Sequence, residues 1–327
     1  MPSDLPGHGT DGKRCRSLLI GSLALLAILP GSSALAQSRL PQREQVEQVQ
    51  TRKLSLDAAA TTKRPGETTT TDTGTTDDAF GAQSILRERP RRQAFTASVE
   101  NAVFYTDNAA LTPDDLRDDT FLNSSLALGW RTSLTNRVSA SILGRYGLFR
   151  YNRLPVLDFQ SLDIEASFVL RLPAEVEMLA GYGFTQFTSR QDFEEFYSEH
   201  VLNFGLQRVF QLARAHYVVA GVSARWSWAD PGAAQRDRYS AYVSYHVNAT
   251  ERLSADLGYR YAFFDYRDGG TGRGDHNHSL SLSFRYSFTE WLNVVAAGQA
   301  TWNRSTQPVF DYDAFNVGGS VGLNARF

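Results

Sequence analysis

Three groups of residues in this sequence have types and spacings that suit chemistry. The first is Asp275-His276-Asn277-His278-Ser279, the densest histidine cluster. A hydrolase of the lipid-modifying kind needs a histidine within hydrogen-bond reach of a hydroxyl nucleophile. Along a strand, neighbouring side chains point to opposite faces, so His276 and His278 converge while Ser279 points away. The simpler reading is a solvated polar pair, and no catalytic, cofactor or metal site is assigned. The second group is Asp107, Asp114, Asp115, Asp118 and Asp119 around Arg117, without the spacing of a calcium-binding dodecamer. It reads as a hydrated acidic loop, with cation-bridged lipopolysaccharide as the alternative. The third group spaces Arg131, Arg145, Arg225, Arg260, Arg285 and Arg326 among Glu100, Asp163, Glu165, Glu177 and Asp256. Planar guanidinium groups grip carboxylates through paired hydrogen bonds. Such a set either guides an anionic solute or neutralises the carboxylates beside it.

What must position these groups is a long series of strands. Leu162, Ile164, Ala166, Phe168 and Leu170 alternate with Ser161, Asp163, Glu165, Ser167 and Arg171, Val169 being the exception. His278, Leu280, Leu282, Phe284, Tyr286 and Phe288 alternate with Asn277, Ser279, Ser281, Ser283, Arg285 and Ser287. A period of two marks strands with one apolar face. These stretches exceed the ~5 to 6 residues usual in soluble strands. They suit the ~9 to 11 that a tilted strand needs to cross a bilayer. Short turns at Thr135, Ala174, Ala213, Thr250 and Thr289 recur at steps of 39, 39, 37 and 39 residues. Each step holds two long strands rather than a four-stranded propeller blade, so the repeat is a hairpin.

The hairpins predict twelve strands, near 94–106, 120–132, 137–150, 159–171, 176–189, 199–211, 215–228, 238–248, 252–266, 277–288, 291–304 and 313–327. The expected fold is an all-β, transmembrane, antiparallel up-and-down barrel over residues 93–327. An even strand number puts both ends and all the tight turns on the periplasmic side. With only 42% hydrophobic residues and a negative mean hydropathy, the chain is not a helical membrane bundle. A formal charge of −2 gives no case for nucleic acid, and neither a P-loop nor a dinucleotide-binding glycine pattern is present.

Ahead of the barrel, Lys13, Arg14 and Arg16 precede the apolar run Ser17–Leu29, and Ala34-Leu35-Ala36 gives a small-x-small cleavage site. This predicts a signal peptide over residues 1–36, cut between Ala36 and Gln37. Cys15 leaves with it, so the exported chain has no thiol chemistry. Residues 37–92 include the Thr/Gly/Asp/Glu-rich stretch Thr61–Thr76 and read as a flexible segment, open to a periplasmic partner or to folding into the pore. Bacterial outer-membrane localisation follows from export combined with a barrel, with outer-membrane lipid and lipopolysaccharide as its surroundings.

Twelve strands ~4.8 Å apart, tilted ~40°, enclose a backbone radius of about 12 Å, which side chains on both walls narrow further. Parity turns the apolar faces to lipid and the arginines and acids inward. Arg131, Arg145, Arg225, Arg260, Arg285, Asp163, Glu165 and Asp256 are thus the channel-lining candidates. Turn geometry sets Arg171 opposite Glu177 and Arg145 near Asp163, the arrangement expected of mutual neutralisation. The last strand carries Phe315, Val317, Gly319, Val321, Leu323, Ala325 and Phe327 on one face. A terminal aromatic on such a strand resembles the signal read by the barrel assembly machinery, making Phe327 the assembly residue.

The first strand, from Val99-Glu100 to Tyr105-Thr106-Asp107-Asn108, followed by an acidic loop and a second strand, resembles the β-barrel porin 2 type of outer-membrane protein. The resemblance covers 94–327 and implies a porin-like channel, with anionic oligo- or polysaccharide and an exopolysaccharide export system as the associated solute and setting. The alternatives are a structural barrel anchoring a periplasmic partner and an outer-membrane lipid-modifying enzyme.

Overall fold

The computed structural model describes residues 94–267 and 272–327. The expected signal peptide, its Ala36/Gln37 junction and the 37–92 segment lie outside the described residues.

The described chain forms twelve strands. They are β1 (Phe95–Thr106), β2 (Asp119–Ser133), β3 (Val138–Tyr151), β4 (Phe159–Arg171), β5 (Val176–Ser189) and β6 (Glu195–Ala213). These are followed by β7 (His216–Asp230), β8 (Arg236–Asn248), β9 (Leu253–Tyr266), β10 (Gly274–Ser287), β11 (Leu292–Ser305) and β12 (Tyr312–Arg326). Each pairs antiparallel with its sequence neighbours, and β1 pairs with β12 to close the barrel. Closure leaves no edge, the condition for strands to cross hydrocarbon. The seam ends on Phe95 and Phe327, which exchange backbone hydrogen bonds of 3.0 and 3.1 Å and bring their rings to 6.3 Å.

Most observed boundaries lie close to those predicted. The largest difference is β6, which begins four residues earlier than the predicted 199. Irregularities between Phe187 and Thr188 and between Gln211 and Ala213 absorb extra residues while pairing continues beyond the simple alternation.

The repeated threonine has a local cause. Thr135 Oγ1 accepts the N–H groups of Arg137 and Val138 at 3.2 and 3.0 Å. Thr250 does the same for Arg252 and Leu253, and Thr289 for Trp291 and Leu292. A hydroxyl that satisfies two turn N–H groups replaces backbone partners that a tight reversal cannot supply.

Outside, the barrel is apolar. Leu128, Ile142, Ile164, Phe168, Val222, Leu282, Phe284, Val321 and Leu323 are all exposed. Trp291 and Phe288 mark the periplasmic rim, and Tyr105, Trp228 and Trp302 the outer one. Such a belt is stable only against lipid.

Inside, the two halves differ. In the outer half, inward side chains are buried on almost every strand, from Phe104 and Phe121 to Asn277, Thr301 and Ala314. Toward the periplasm, Arg131, Glu165, Arg171 and Arg326 are exposed. The inward faces therefore stay open only in the periplasmic half. The outer half is packed because each of the strands β1 to β6 turns at least one aromatic or other large apolar residue inward near its outer end.

Candidate functional site: the barrel lumen

An aromatic run lines the outer end of one wall. Phe104 stacks on Phe121 at 5.7 Å, and Phe121 on Tyr151 at 5.1 Å. Farther along, Phe149 and Phe159 lie at 4.3 Å with an interplanar angle of 6°. Phe187 meets Phe159 at 5.1 Å and Tyr197 at 5.0 Å. Phe159, Phe187 and Tyr197 are 0% exposed, so no water-filled path passes beside them. Phe104 lies across Gly318 of β12, where an added Cβ would come within 2.6 Å of its ring. The missing side chain at Gly318 is what lets this ring reach across the seam.

Two outer loops cap the run. Asn108 is fully buried; its amide nitrogen donates to Thr112 O and Asp313 O at 2.8 and 2.9 Å, and its Oδ1 accepts from Thr112 N. Asp107 Oδ1 accepts from Phe315 N at 2.7 Å. The Asp-Asn pair that closes the first strand thus pins the first loop to β12 and presses Ala109 into the aromatic core. Asp119 is also buried, and its oxygens accept the N–H groups of Thr120, Arg153 and Leu154. These bonds hold the second loop so that Leu157 enters the same core. The acidic loop is largely engaged within the chain: Asp115 binds Arg117 at 2.7 Å and Asp118 binds Arg153 at 3.2 Å.

Below and opposite this cap lie the charged groups. Arg225 on β7 bonds Glu199 on β6 at 2.6 Å, with the Glu199 side chain 4% exposed. Arg225 stands directly across from Arg238 of β8 in the register. Arg260 of β9 is paired with Tyr242 on one side and Ser279 on the other. The wall β7 to β9 therefore turns Arg225, Arg238 and Arg260 into the lumen, with Arg236 of β8 buried over the Phe264 ring at 4.4 Å on the same face. On the facing wall Arg145 is opposite Asp163, whose Oδ1 accepts from Thr185 Oγ1 at 2.8 Å. Glu165 is exposed one step below Asp163 on the same face.

Toward the periplasm a polar chain links β4, β5, β6 and β8. Arg171 approaches Glu177 at 3.8 Å, Gln207 Nε2 donates to Glu177 Oε2 at 2.9 Å, and Tyr242 Oη donates to Gln207 Oε1 at 2.8 Å. Tyr242 reaches past β7 only because Gly221 has no side chain; a Cβ there would stand 2.6 Å from Tyr242 Cζ. Asp256 is taken by His246, whose Nδ1 lies 2.6 Å from Asp256 Oδ1 and whose Nε2 lies 3.0 Å from Asn248 Oδ1. Arg285 faces inward between Ser254 and Val295, and Arg131 stands exposed at the periplasmic rim.

The structure thus brings Arg145 to Asp163 and Arg171 to Glu177, as turn geometry predicted, but gives Asp256 a histidine partner. It adds Glu199, Arg238 and the aromatic cap, which sequence reasoning missed. Their signal was parity: each occupies the inward position of its strand, at an outer end where the alternation is shortest. The histidine cluster divides between faces as expected. His276 and His278 lie on the exterior, bonded to Tyr261 and Tyr259 at 2.7 Å, and Ser279 is buried inside.

No protein-family model and no curated protein sequence matches this chain. Among solved structures it is similar to the COG4313 outer membrane channel from Pseudomonas putida F1, with TM-score 0.51 and 14% identity over 71% of this chain and 96% of that one. It is also similar to the translocator domain of autotransporter NalP from Neisseria meningitidis, with TM-score 0.43 and 11% identity over 89% and 99% of the two chains. The KdgM porin in complex with disordered oligogalacturonate gives TM-score 0.36 and 11% identity over 68% and 97%. At these identities the likeness is one of fold. The chain is a closed twelve-stranded barrel with the architecture of the COG4313 outer-membrane channel.

Proposed function

We propose that this barrel is a narrow outer-membrane channel for anionic solutes, with carboxylated saccharides as the favoured class. The observation that carries the reading is the wall formed by β7 to β9, where Arg225, Arg238 and Arg260 face inward and Arg225 and Arg238 are direct cross-strand neighbours. Like charges side by side are destabilising unless an anion compensates them. Glu199 bonds one of them. A carboxylate entering the lumen would meet several guanidinium groups on one wall, hydrogen-bonded in turn rather than trapped by one deep site.

The aromatic run on the other wall complements this. Rings offer apolar faces to the C–H faces of a sugar, while the arginines address its carboxylate. With the outer half packed, passage requires the rings to turn aside, which makes the cap a gate. Export or uptake is equally served by this layout, and a role in polysaccharide export rests on the resemblance described above.

The test is conductance and reversal potential in planar bilayers under a salt gradient, comparing the native chain with an Arg238→Gln/Arg260→Gln double variant. Anion preference should fall in the variant. An unchanged reversal potential in a folded, conducting variant would overturn the assignment.

A further inference from the structure

On the outside of the barrel, histidine side chains pair repeatedly with tyrosine. His200 Nδ1 lies 2.6 Å from Tyr182 Oη, His276 2.7 Å from Tyr261, and His278 2.7 Å from Tyr259. A polar side chain facing lipid is costly unless its groups are satisfied. With the phenol donating to Nδ1, the neutral imidazole carries its proton on Nε2, as the imidazolium also does. In that tautomer each pair presents an Nε2–H donor.

At one of these pairs the register adds a cation. His276 of β10 stands directly opposite Arg304 of β11, and His278 opposite Trp302. Below them on β10 come Leu280, Leu282 and Phe284, all exposed, so His276 and Arg304 sit just above the apolar belt. Arg304 is half exposed, with side-chain exposure of 53%. Its bonds to Asn303 O, Tyr312 O and Asp313 Oδ1, at 2.8, 3.3 and 2.6 Å, all run through Nη1. They orient the guanidinium, and among the described residues nothing takes its Nη2 or Nε, nor the Nε2 of His276. A histidine and a permanently charged arginine thus occupy directly paired positions on the same outer face at headgroup height.

Phe95, Phe327 and the tight turns lie at the opposite end, so this level is the outer leaflet. We propose that the β9–β11 exterior is a binding site for the phosphorylated headgroup of lipopolysaccharide, with a lipid A phosphate bridging His276 Nε2 and the free edge of Arg304 and Trp302 packing beside it. The barrel supplies its own comparison. His200, at the same end, also bonds a tyrosine, Tyr182, but has Phe184 and Trp228 as cross-strand neighbours, with no cation directly beside it. It should bind no phosphate. This inference is independent of what passes through the lumen.

The experiment uses the purified, folded barrel in detergent and native mass spectrometry with bisphosphorylated lipid A, its dephosphorylated form and phosphatidylglycerol. Bisphosphorylated lipid A should be retained preferentially by the native protein. His276→Leu/Arg304→Gln should lower that retention by about tenfold or more, the range of a lost charge-assisted hydrogen bond. His200→Leu should leave it unchanged. Should the double variant fold poorly, Arg304→Gln alone is compared with His200→Leu at matched heat-modifiability, and the same ordering is expected. Equal retention of dephosphorylated lipid A or phosphatidylglycerol, or an equal loss in His200→Leu, would overturn the site.

Discussion

Replacing Phe159 with Ala should open the lumen, at a cost in stability that the packing around it defines. Phe159 is 0% exposed and contacts the rings of Phe149 and Phe187 at 4.3 and 5.1 Å. Truncating a buried phenylalanine costs about 3–5 kcal/mol, the spread reflecting how far the site can collapse. Here collapse is restricted. β4 is hydrogen-bonded along its length to β3 and β5, and the barrel wall cannot move inward without breaking closure. The cost should fall in the upper part of that range, about 4 kcal/mol, or close to a thousandfold in the folded-to-unfolded ratio. The vacated space adjoins the polar lumen and should fill with water, raising single-channel conductance and its open fraction. Heat-modifiability in a denaturant series would read the stability, and planar bilayers the conductance. Phe168→Ala on the exterior, where Phe168 is 52% exposed, serves as the comparison and should leave conductance unchanged. A folded Phe159→Ala barrel with native conductance would refute the view that the aromatic cap closes the path.

Glu199→Gln should destabilise the barrel by about 3–5 kcal/mol, because it removes a carboxylate that Arg225 bonds in a mostly buried setting. The same variant should shift reversal potentials toward stronger anion preference, and a shift toward cations would contradict the proposed field. Phe327→Asp should slow assembly, since Phe327 joins Phe95 at the β1–β12 seam, and pulse-chase analysis should show less folded barrel and more periplasmic degradation. Native folding kinetics in that variant would remove Phe327 from the closing step.

Much of this molecule was legible in the amino-acid order. The alternation along Leu162–Arg171, broken only at Val169, and along Asn277–Phe288 specified strands and faces, because side-chain direction in a strand depends on position alone. The threonines at positions 135, 250 and 289 marked the hairpins, because their hydroxyls satisfy N–H groups two and three residues ahead, a purely local bond. The counterions across one hairpin, Arg171 with Glu177, followed from the turn, and Arg145 opposite Asp163 from counting back along neighbouring strands.

What alternation could not supply is how far each inward side chain reaches and what it meets. Phe104 crosses Gly318 on a strand more than 200 residues away in the chain, and Tyr242 passes over Gly221 to find Gln207 two strands distant. Glu199 meets Arg225 across the β6–β7 pairing, and Asp256 prefers His246 to any arginine. The exterior pairing of His276 with Arg304 likewise depends on the register of β10 on β11. Local alternation determined the barrel and its two faces. Closure and register, which rest on hydrogen bonds between distant segments, decided that the outer half of the lumen is filled and where its charges stand.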